Sequence, residues 1–147
     1  MAQPQSAQRM EQVIRAYIEA CNNADAKAIA ACFRPDAVHY FPWRPKWLRA
    51  STIGGNFEKL VQKWGLSWTV DQLLTDDERG AAVLEWTMFN RQTSQIARGV
   101  DWFVFEPQTF LIQEVRCYGA APFNPDVVRQ ELQDFDYAGR GYPTAQI

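Results

Sequence analysis

Two acidic residues stand among apolar neighbours on predicted strands, where a carboxyl group can carry out proton-transfer chemistry. Asp101 shares a strand face with Phe103 and Phe105, and Glu85 alternates with apolar residues on the preceding strand. Burial disfavours the charged form of a carboxyl group, so it raises the pKa and lets the group act as a hydrogen-bond donor or as a base near neutral pH. The alternative is a solvated or arginine-paired acid, for which Arg91, Arg98 and Arg116 are available.

Two further polar side chains are candidates for the same chemistry. His39 is the single histidine of the chain, and an unperturbed imidazole, which titrates at about pH 6.5, exchanges protons at neutral pH. Tyr17 lies on the apolar stripe of the first predicted helix and carries an O–H donor. The structural alternatives are a hydrogen-bonded histidine and a tyrosine that only fills the core.

The cysteines do not have the spacing of a metal or redox site. Cys21, Cys32 and Cys117 are odd in number and form no C-x-x-C motif, so neither a zinc site nor a disulfide framework is indicated. We expect no metal and no cofactor, and we expect Cys117 to be an inert buried thiol.

Composition excludes several classes of protein. The chain has 147 residues, of which 47% are hydrophobic, and this is the size of one domain with one core. The net charge is −2 without a run of Lys or Arg, which argues against nucleic-acid binding. No stretch approaches the ~20 apolar residues of a membrane span, and the N-terminus lacks a signal-peptide pattern. We therefore expect a cytoplasmic protein without a membrane partner.

Apolar periodicity predicts helices in the first half of the chain and strands in the second. The first predicted helix covers residues 10–21. The second begins at the N-cap Asp25 and is ended by Pro35. The third follows the Gly54-Gly55 break, with Asn56 as its cap, and ends at Gly65. A short strand is predicted at Val38–Trp43, before Pro45.

Four more strands are predicted at 67–75, 81–92, 98–106 and 109–118, and their short connections make them an antiparallel meander. A final helix is predicted from Asn124 to about residue 134, followed by a tail rich in aromatics and glycines. We expect one domain over 1–147, with a core at about 8–120 and the C-terminal helix and tail at 124–147.

This order of elements predicts an α+β fold in which a curved antiparallel sheet wraps around the N-terminal helices as a cone. A ligand pocket would lie inside the cone. Alternation along the last strand places Leu111, Gln113, Val115 and Cys117 on one face. We assign Trp86, Met88 and Trp102 to the outer sheet face, where we expect a homodimer contact.

Three strings in the chain resemble one known superfamily. They are VIRAYIEACNNADAKAIAACFRPDAV at 13–38, GVDWFVF at 99–105 and IQEVRCY at 112–118. They are similar to the SnoaL-like and ketosteroid-isomerase-like branch of the nuclear transport factor 2-like superfamily. The resemblance implies the cone-shaped fold, also called a cystatin-like α+β barrel, but not one activity, because the superfamily contains enzymes, binding proteins and transport factors.

The resemblance also implies roles for particular residues. Tyr17 and Asp101 fall where ketosteroid isomerases keep the two O–H donors of their oxyanion hole, a tyrosine and a protonated aspartic acid. The general-base aspartate of those enzymes falls on Phe41 here, which argues against ketosteroid isomerisation. His39 falls where limonene epoxide hydrolases carry a tyrosine that holds the attacking water.

The resemblance to the epoxide hydrolases is incomplete at the remaining positions. Glu85 and Thr87 fall near the arginine and the aspartate of the hydrolase triad, and Cys117 falls on its last aspartate. Epoxide hydrolysis is therefore disfavoured, whereas SnoaL-like cyclases, which need one acid and one base around an enolate, fit better.

These observations lead to two hypotheses about function. The first is a small cofactor-independent enzyme that isomerises, cyclises, dehydrates or hydrates a mostly apolar small molecule. His39 is then the proton acceptor, Glu85 the second candidate, and Tyr17 and Asp101 the oxyanion donors. The predicted substrate-binding residues are Phe41, Trp43, Trp64, Thr87, Phe89, Phe103, Val115 and Cys117. The second hypothesis is a non-catalytic ligand-binding or dimeric assembly module of the same fold.

Overall fold

The computed structural model describes residues 4–119 and 132–142. Its elements in chain order are α1 (Pro4–Asn22), α2 (Ala26–Ala31), β1 (Phe33–Tyr40), β2 (Trp47–Leu48), α3 (Ala50–Trp64), β3 (Leu66–Asp76), β4 (Ala81–Asn90), β5 (Gln95–Phe105) and β6 (Ile112–Gly119). Helices come first and most strands follow, which confirms the predicted α+β class.

The first two helices follow local sequence signals. Met10, Ile14 and Tyr17 form the buried stripe of α1. The helix nevertheless begins before residue 10, where solvent-exposed residues give no apolar periodicity. The Asp25 side chain accepts a hydrogen bond from the Ala28 amide at 3.0 Å, which confirms Asp25 as the N-cap of α2.

The predicted start of α3 is wrong, because the helix runs straight through Gly54 and Gly55. Gly54 lies where α3 crosses α2, and a Cβ at this position would stand 2.4 Å from the Ala26 carbonyl oxygen. This glycine therefore serves close helix packing and is not a helix breaker. The helix ends, as predicted, at Gly65 in the left-handed conformation, with φ of 61°.

The six strands form one sheet in the order β2-β1-β6-β5-β4-β3. The meander from β3 to β6 is antiparallel as predicted. β1 runs parallel to β6, so the sheet is mixed and not wholly antiparallel. β1 also begins at Phe33, earlier than predicted, and Pro35 lies within a shift in its register with β6. A proline is tolerated where regular pairing is interrupted.

Strand register decides which side chains face the helices. Trp86 pairs with Gly99 and Leu84 pairs with Asp101, and directly opposed residues share a face. Trp86 and Met88 therefore face the inside of the cone, and their assignment to the outer face is wrong. Trp102 does lie on the outer face, where it is exposed.

The register of β6 with β5 shifts between Ile112 and Glu114. Because of this irregularity Ile112 is buried with Val115, whereas Gln113 is exposed. The predicted alternation of the strand is thus lost at its beginning. The inward alternation from Val115 to Cys117 is regular.

Residues 132–142 pack against the outer face of β1 and β6. Leu132 and Phe135 are buried against Tyr40. Arg140 and Arg116 both bind the carboxylate of Glu114, and the Arg116 Nε lies 2.8 Å from Glu114 Oε2. The tail is therefore anchored to its own chain. The predicted helix from residue 124 falls, up to residue 131, outside the described residues.

Candidate active site

A cavity of about 480 Å³ lies between the concave face of the sheet and the helices α1 and α3. Its lining is mostly aromatic and aliphatic. Seven of the predicted site residues line it: Tyr17, His39, Phe41, Trp43, Trp64, Asp101 and Cys117. The volume and the apolar lining are those of a small-molecule site.

Three neighbouring strands position the polar groups of the cavity. Cys117 on β6 lies directly opposite Asp101 on β5, and Val115, two residues earlier on the same face, lies opposite His39 on β1. The Cα atoms of His39 and Asp101 are therefore separated by roughly 10–12 Å, given ordinary strand spacing. This separation leaves room for a ligand between the two side chains.

Asp101 is buried, and one of its carboxyl oxygens, Oδ1, has no hydrogen-bond partner among the described residues. Burial raises the pKa of Asp101 to about 6, although the neighbouring Trp86 and Cys117 side chains oppose the rise. A carboxyl group with this pKa can both lose and accept a proton near neutral pH.

His39 is 1% exposed, and neither of its ring nitrogens has a hydrogen-bond partner within the described part of the chain. Its ring stacks on Phe41 with centroids 4.2 Å apart. Burial lowers the pKa of His39 to about 3; the Tyr40 backbone opposes this fall, and the positive charge of Arg44 adds to it. The imidazole is therefore neutral at physiological pH, in contrast to the prediction from its unperturbed pKa.

Tyr17 projects from α1 against three aromatic rings. The nearest is Phe33, with ring centroids 5.2 Å apart, and Phe57 and Phe103 both lie at 6.0 Å. Burial raises the pKa of Tyr17 well above its ordinary value, and the acidic groups near it, including Asp101, add to the effect. Its phenol thus stays protonated and can only act as an O–H donor or as a neutral acceptor.

Two glycines make room for the walls of the cavity. Gly99 on β5 lies directly opposite Gly119 on β6. A Cβ on Gly99 would lie 2.3 Å from the Trp86 ring, and a Cβ on Gly119 would lie 2.4 Å from the Trp43 ring. The two indoles can therefore approach the sheet backbone closely at neighbouring positions of the cavity lining.

Sequence reasoning missed part of the lining. The missed residues include two tryptophans and an arginine: Trp68, Trp86 and Arg44. Trp86 could have been found from the pairing of β4 with β5, because a large side chain opposite a glycine fills the space that the glycine leaves.

Five predicted site residues do not line the cavity. Glu85, Thr87 and Phe89 lie on the outer sheet face, because the other alternating set of β4 faces the helices. There the Thr87 hydroxyl donates to Asp71 Oδ2 at 2.6 Å and accepts from Arg98 at 2.6 Å. Phe103 and Val115 do point inward, but they are fully buried in the core. The structure therefore does not bring Glu85 together with His39 and Asp101.

The loop after β1 borders the cavity with Phe41, Trp43 and Arg44, and the C-terminal tail holds this loop. The Gln133 amide donates to the Phe41 carbonyl at 2.9 Å, and the Lys46 amide donates to the Asp134 carboxylate at 3.3 Å. These bonds connect the tail to the lining of the cavity within one chain.

Metal-ligand clusters and membrane-spanning helices are both absent from the described residues. No group of three or more His, Cys, Asp or Glu side chains in the described residues is arranged to hold a metal ion. Among the described helices, none has the length and hydropathy needed to cross a membrane.

The chain belongs to the SnoaL-like domain family, whose model matches residues 14–109. This confirms the predicted membership of the nuclear transport factor 2-like superfamily. A solved protein of unknown function with a cystatin-like fold, from Methylobium petroleophilum PM1, is 39% identical to this chain. The match covers 95% of this chain and 93% of that one, with a TM-score of 0.90.

More distant structures share the fold. A putative polyketide cyclase from Sinorhizobium meliloti is 14% identical, with a TM-score of 0.63, over 72% of this chain and 93% of that one. SalBIII, an epoxide hydrolase/cyclase-like enzyme of pyran ring formation in salinomycin, is 15% identical, with a TM-score of 0.65, over 76% and 91%. At these identities the likeness shows the fold alone. No curated protein matches the chain.

Proposed function

We propose that this protein is a cofactor-independent enzyme that performs acid–base chemistry on a mostly apolar small molecule by isomerisation, cyclisation, dehydration or hydration. One observation carries the proposal: Asp101 and His39 both line a single apolar cavity, and both carry buried polar atoms without partners among the described residues. Buried polar groups without partners are rare in folded proteins, and a ligand that hydrogen-bonds to them removes the energetic penalty. The distant similarity to SalBIII and to a putative isomerase from Bacillus subtilis agrees with this class of chemistry.

Asp101 is the proton-transfer group in this proposal. Its pKa of about 6 lies close to neutral pH, where a base works best. The ionised carboxylate removes a proton from a carbon next to a substrate carbonyl. The electron pair of the C–H bond forms a C=C bond, and the π pair of the C=O bond moves to the oxygen. The protonated Asp101 then returns the proton at a second position, so the carboxylate is regenerated.

His39 and Tyr17 stabilise the negative charge that develops on the substrate oxygen. A neutral imidazole donates one N–H, and the protonated Tyr17 donates its O–H. Donors that are fixed in a dry cavity before the reaction stabilise an oxyanion strongly. The structure thus favours exchanging two of the roles inferred from the sequence: Asp101 becomes the base, and His39 becomes a hydrogen-bond donor.

The second candidate function is a non-catalytic ligand-binding module. The low pKa of His39 favours it, because this imidazole is a weak base at neutral pH and could serve only to bind a ligand. A homodimer through the outer sheet face remains a proposal under either function. The exposed side chains there include Trp102, Ile96 and Phe89, and light scattering at micromolar concentration tests the contact.

Hydrogen–deuterium exchange on small ketones and esters distinguishes the two functions. The protein is incubated in D₂O with a panel of apolar carbonyl compounds, and deuterium at the carbon next to the carbonyl is followed by NMR. Wild type should accelerate exchange for at least one compound, and Asp101→Asn should lower this rate by about 10²–10⁴-fold. Glu85→Gln is the matched control, because it removes an acid on the outer face, and it should exchange at the wild-type rate.

Equal rates in wild type and Asp101→Asn would contradict the role of Asp101. Binding of a compound, seen as a thermal shift, without any exchange would favour the ligand-binding module.

A further inference from the structure

Arg44 lies in the loop after β1 and lines the cavity from its side near Trp43. It is half-buried, and its guanidinium group lies over two aromatic rings, 5.6 Å from the centroid of Phe41 and 5.3 Å from that of Trp47. Stacking of this kind fixes the plane and position of a guanidinium group while its N–H donors stay available.

The charge of Arg44 has no counterion in the described structure. Its side chain makes no ion pair or hydrogen bond with any residue in 4–119 or 132–142. Arg98 also lines the cavity, but its guanidinium donates to Thr87 on the outer face. Arg44 is thus the one cation, among the described lining residues, whose head group is not engaged with another polar side chain.

The positive charge of Arg44 acts electrostatically on other residues that line the cavity. It contributes to the lowered pKa of His39 and opposes the rise that burial causes in the pKa of Cys117, and these two residues lie on adjacent strands of the cavity wall. A charge at this position is only weakly screened by solvent. An arginine that is held over aromatic rings, has no counterion among the described residues and lines an apolar cavity has the features of a ligand anchor.

We propose that Arg44 binds a carboxylate group of the ligand, so that the substrate class is an apolar, planar carboxylic acid. This inference rests on the proposed function of the same cavity. A guanidinium group and a carboxylate match in shape and charge and form paired N–H···O bonds. The ring system of the ligand then packs against the lining indoles of Trp43 and Trp86, and the far end of the molecule reaches Asp101.

A single charge on the ligand fits better than a double one. Arg44 supplies one positive charge, and Asp101, which is ionised above its pKa of about 6, lies elsewhere in the same cavity. A phosphate dianion would leave one negative charge without compensation in apolar surroundings, which is unfavourable. A monocarboxylate is neutralised by Arg44 alone.

Binding of two probes of the same shape tests the proposal. The probes are 2-naphthoate, which carries a carboxylate, and 2-naphthamide, which is its neutral counterpart. Their dissociation constants are measured by calorimetry at about pH 8, where both Asp101 and naphthoate are ionised. Wild type should bind the acid at least about tenfold more tightly than the amide, because a hydrogen bond to a charged partner is the stronger one.

Three variants separate the charge of Arg44 from its packing. Arg44→Gln should bind both probes with nearly equal affinity, and its affinity for the amide should stay close to that of wild type. Arg44→Lys keeps the positive charge but loses the paired geometry, so it should keep only part of the preference for the acid. Arg9→Gln is the matched control, because Arg9 also stacks on a ring, that of Phe110 at 5.7 Å, but does not line the cavity. It should keep the full preference.

The amide separates failure of this inference from failure of the proposed function. Binding of the amide without a preference for the acid would overturn the inference and leave the proposed function standing. An unchanged preference in Arg44→Gln would also overturn it. If neither probe bound to wild type, both the inference and the proposed ligand site would fail.

Discussion

Replacement of Asp101 by asparagine should change how the stability of the protein depends on pH. Burial raises the pKa of this carboxyl from its ordinary value of 3.8 to about 6. One pKa unit corresponds to about 1.36 kcal/mol, so the ionised Asp101 makes the folded state less stable by about 3 kcal/mol. Asparagine has a similar shape and no titratable proton, so the variant lacks this effect.

The sign and the pH window follow from the direction of the shift. Below about pH 3.8 the carboxyl is protonated in both states, and no stability is lost. As the pH rises toward 6, the unfolded chain releases its proton first, so wild type loses stability, and above about pH 6 the loss is complete. The stability of Asp101→Asn relative to wild type should therefore increase by about 3 kcal/mol between about pH 4 and pH 7.

Urea unfolding at a series of pH values measures this difference. The titration of His39 affects both proteins equally and cancels. Glu114→Gln provides a control of opposite sign: burial raises the pKa of Glu114, but hydrogen bonds from Arg140 and Arg116 outweigh this and hold it below its ordinary value. That variant should lose stability relative to wild type as the pH rises. If the difference in the free energy of unfolding between Asp101→Asn and wild type did not change with pH, burial would not raise the pKa of Asp101.

Three further predictions concern packing and reactivity. Gly99→Ala should destabilise the fold by about 1–3 kcal/mol in urea unfolding and shift the fluorescence of the protein, because the new methyl group displaces the Trp86 ring. Arg140→Gln should lower stability by about 1–2 kcal/mol, since Glu114 keeps one arginine partner and Arg140 is partly exposed, and it should weaken the attachment of the tail in hydrogen exchange. All three cysteines should react slowly with a thiol reagent at about pH 8 in the native protein and rapidly in urea, because burial raises the pKa of each.

Features set by short-range interactions could be predicted from the sequence. Asp25 caps α2 through the amide of Ala28, three residues away, and Gly65 ends α3 through its own backbone conformation. The role of Gly54 could not be predicted, because it depends on how closely α3 approaches Ala26 on another helix. The local pattern of two adjacent glycines is the same for a helix break and for a helix crossing.

The candidate site was partly predictable for a related reason. Asp101 is a single acid on the same face of β5 as Phe103 and Phe105, so strand alternation alone predicted that it faces the inside of the fold. Both alternating sets of β4 are largely apolar, so only the register with β5 shows that Trp86 faces inward and Glu85 outward. The low pKa of His39 depends on complete burial by residues distant in sequence, which no local pattern reveals.

The protonation state of His39 tests the central claim most directly, because a single histidine gives one unambiguous set of imidazole signals in a ¹⁵N spectrum. The ring should be neutral from about pH 7 down to about pH 4, and the signal of one ring nitrogen should shift when a bound ligand accepts its hydrogen bond. A ring that titrates at about pH 6.5 would contradict the assignment of His39 as a neutral hydrogen-bond donor. Ring-nitrogen signals that do not shift when a ligand saturates the cavity would also contradict it.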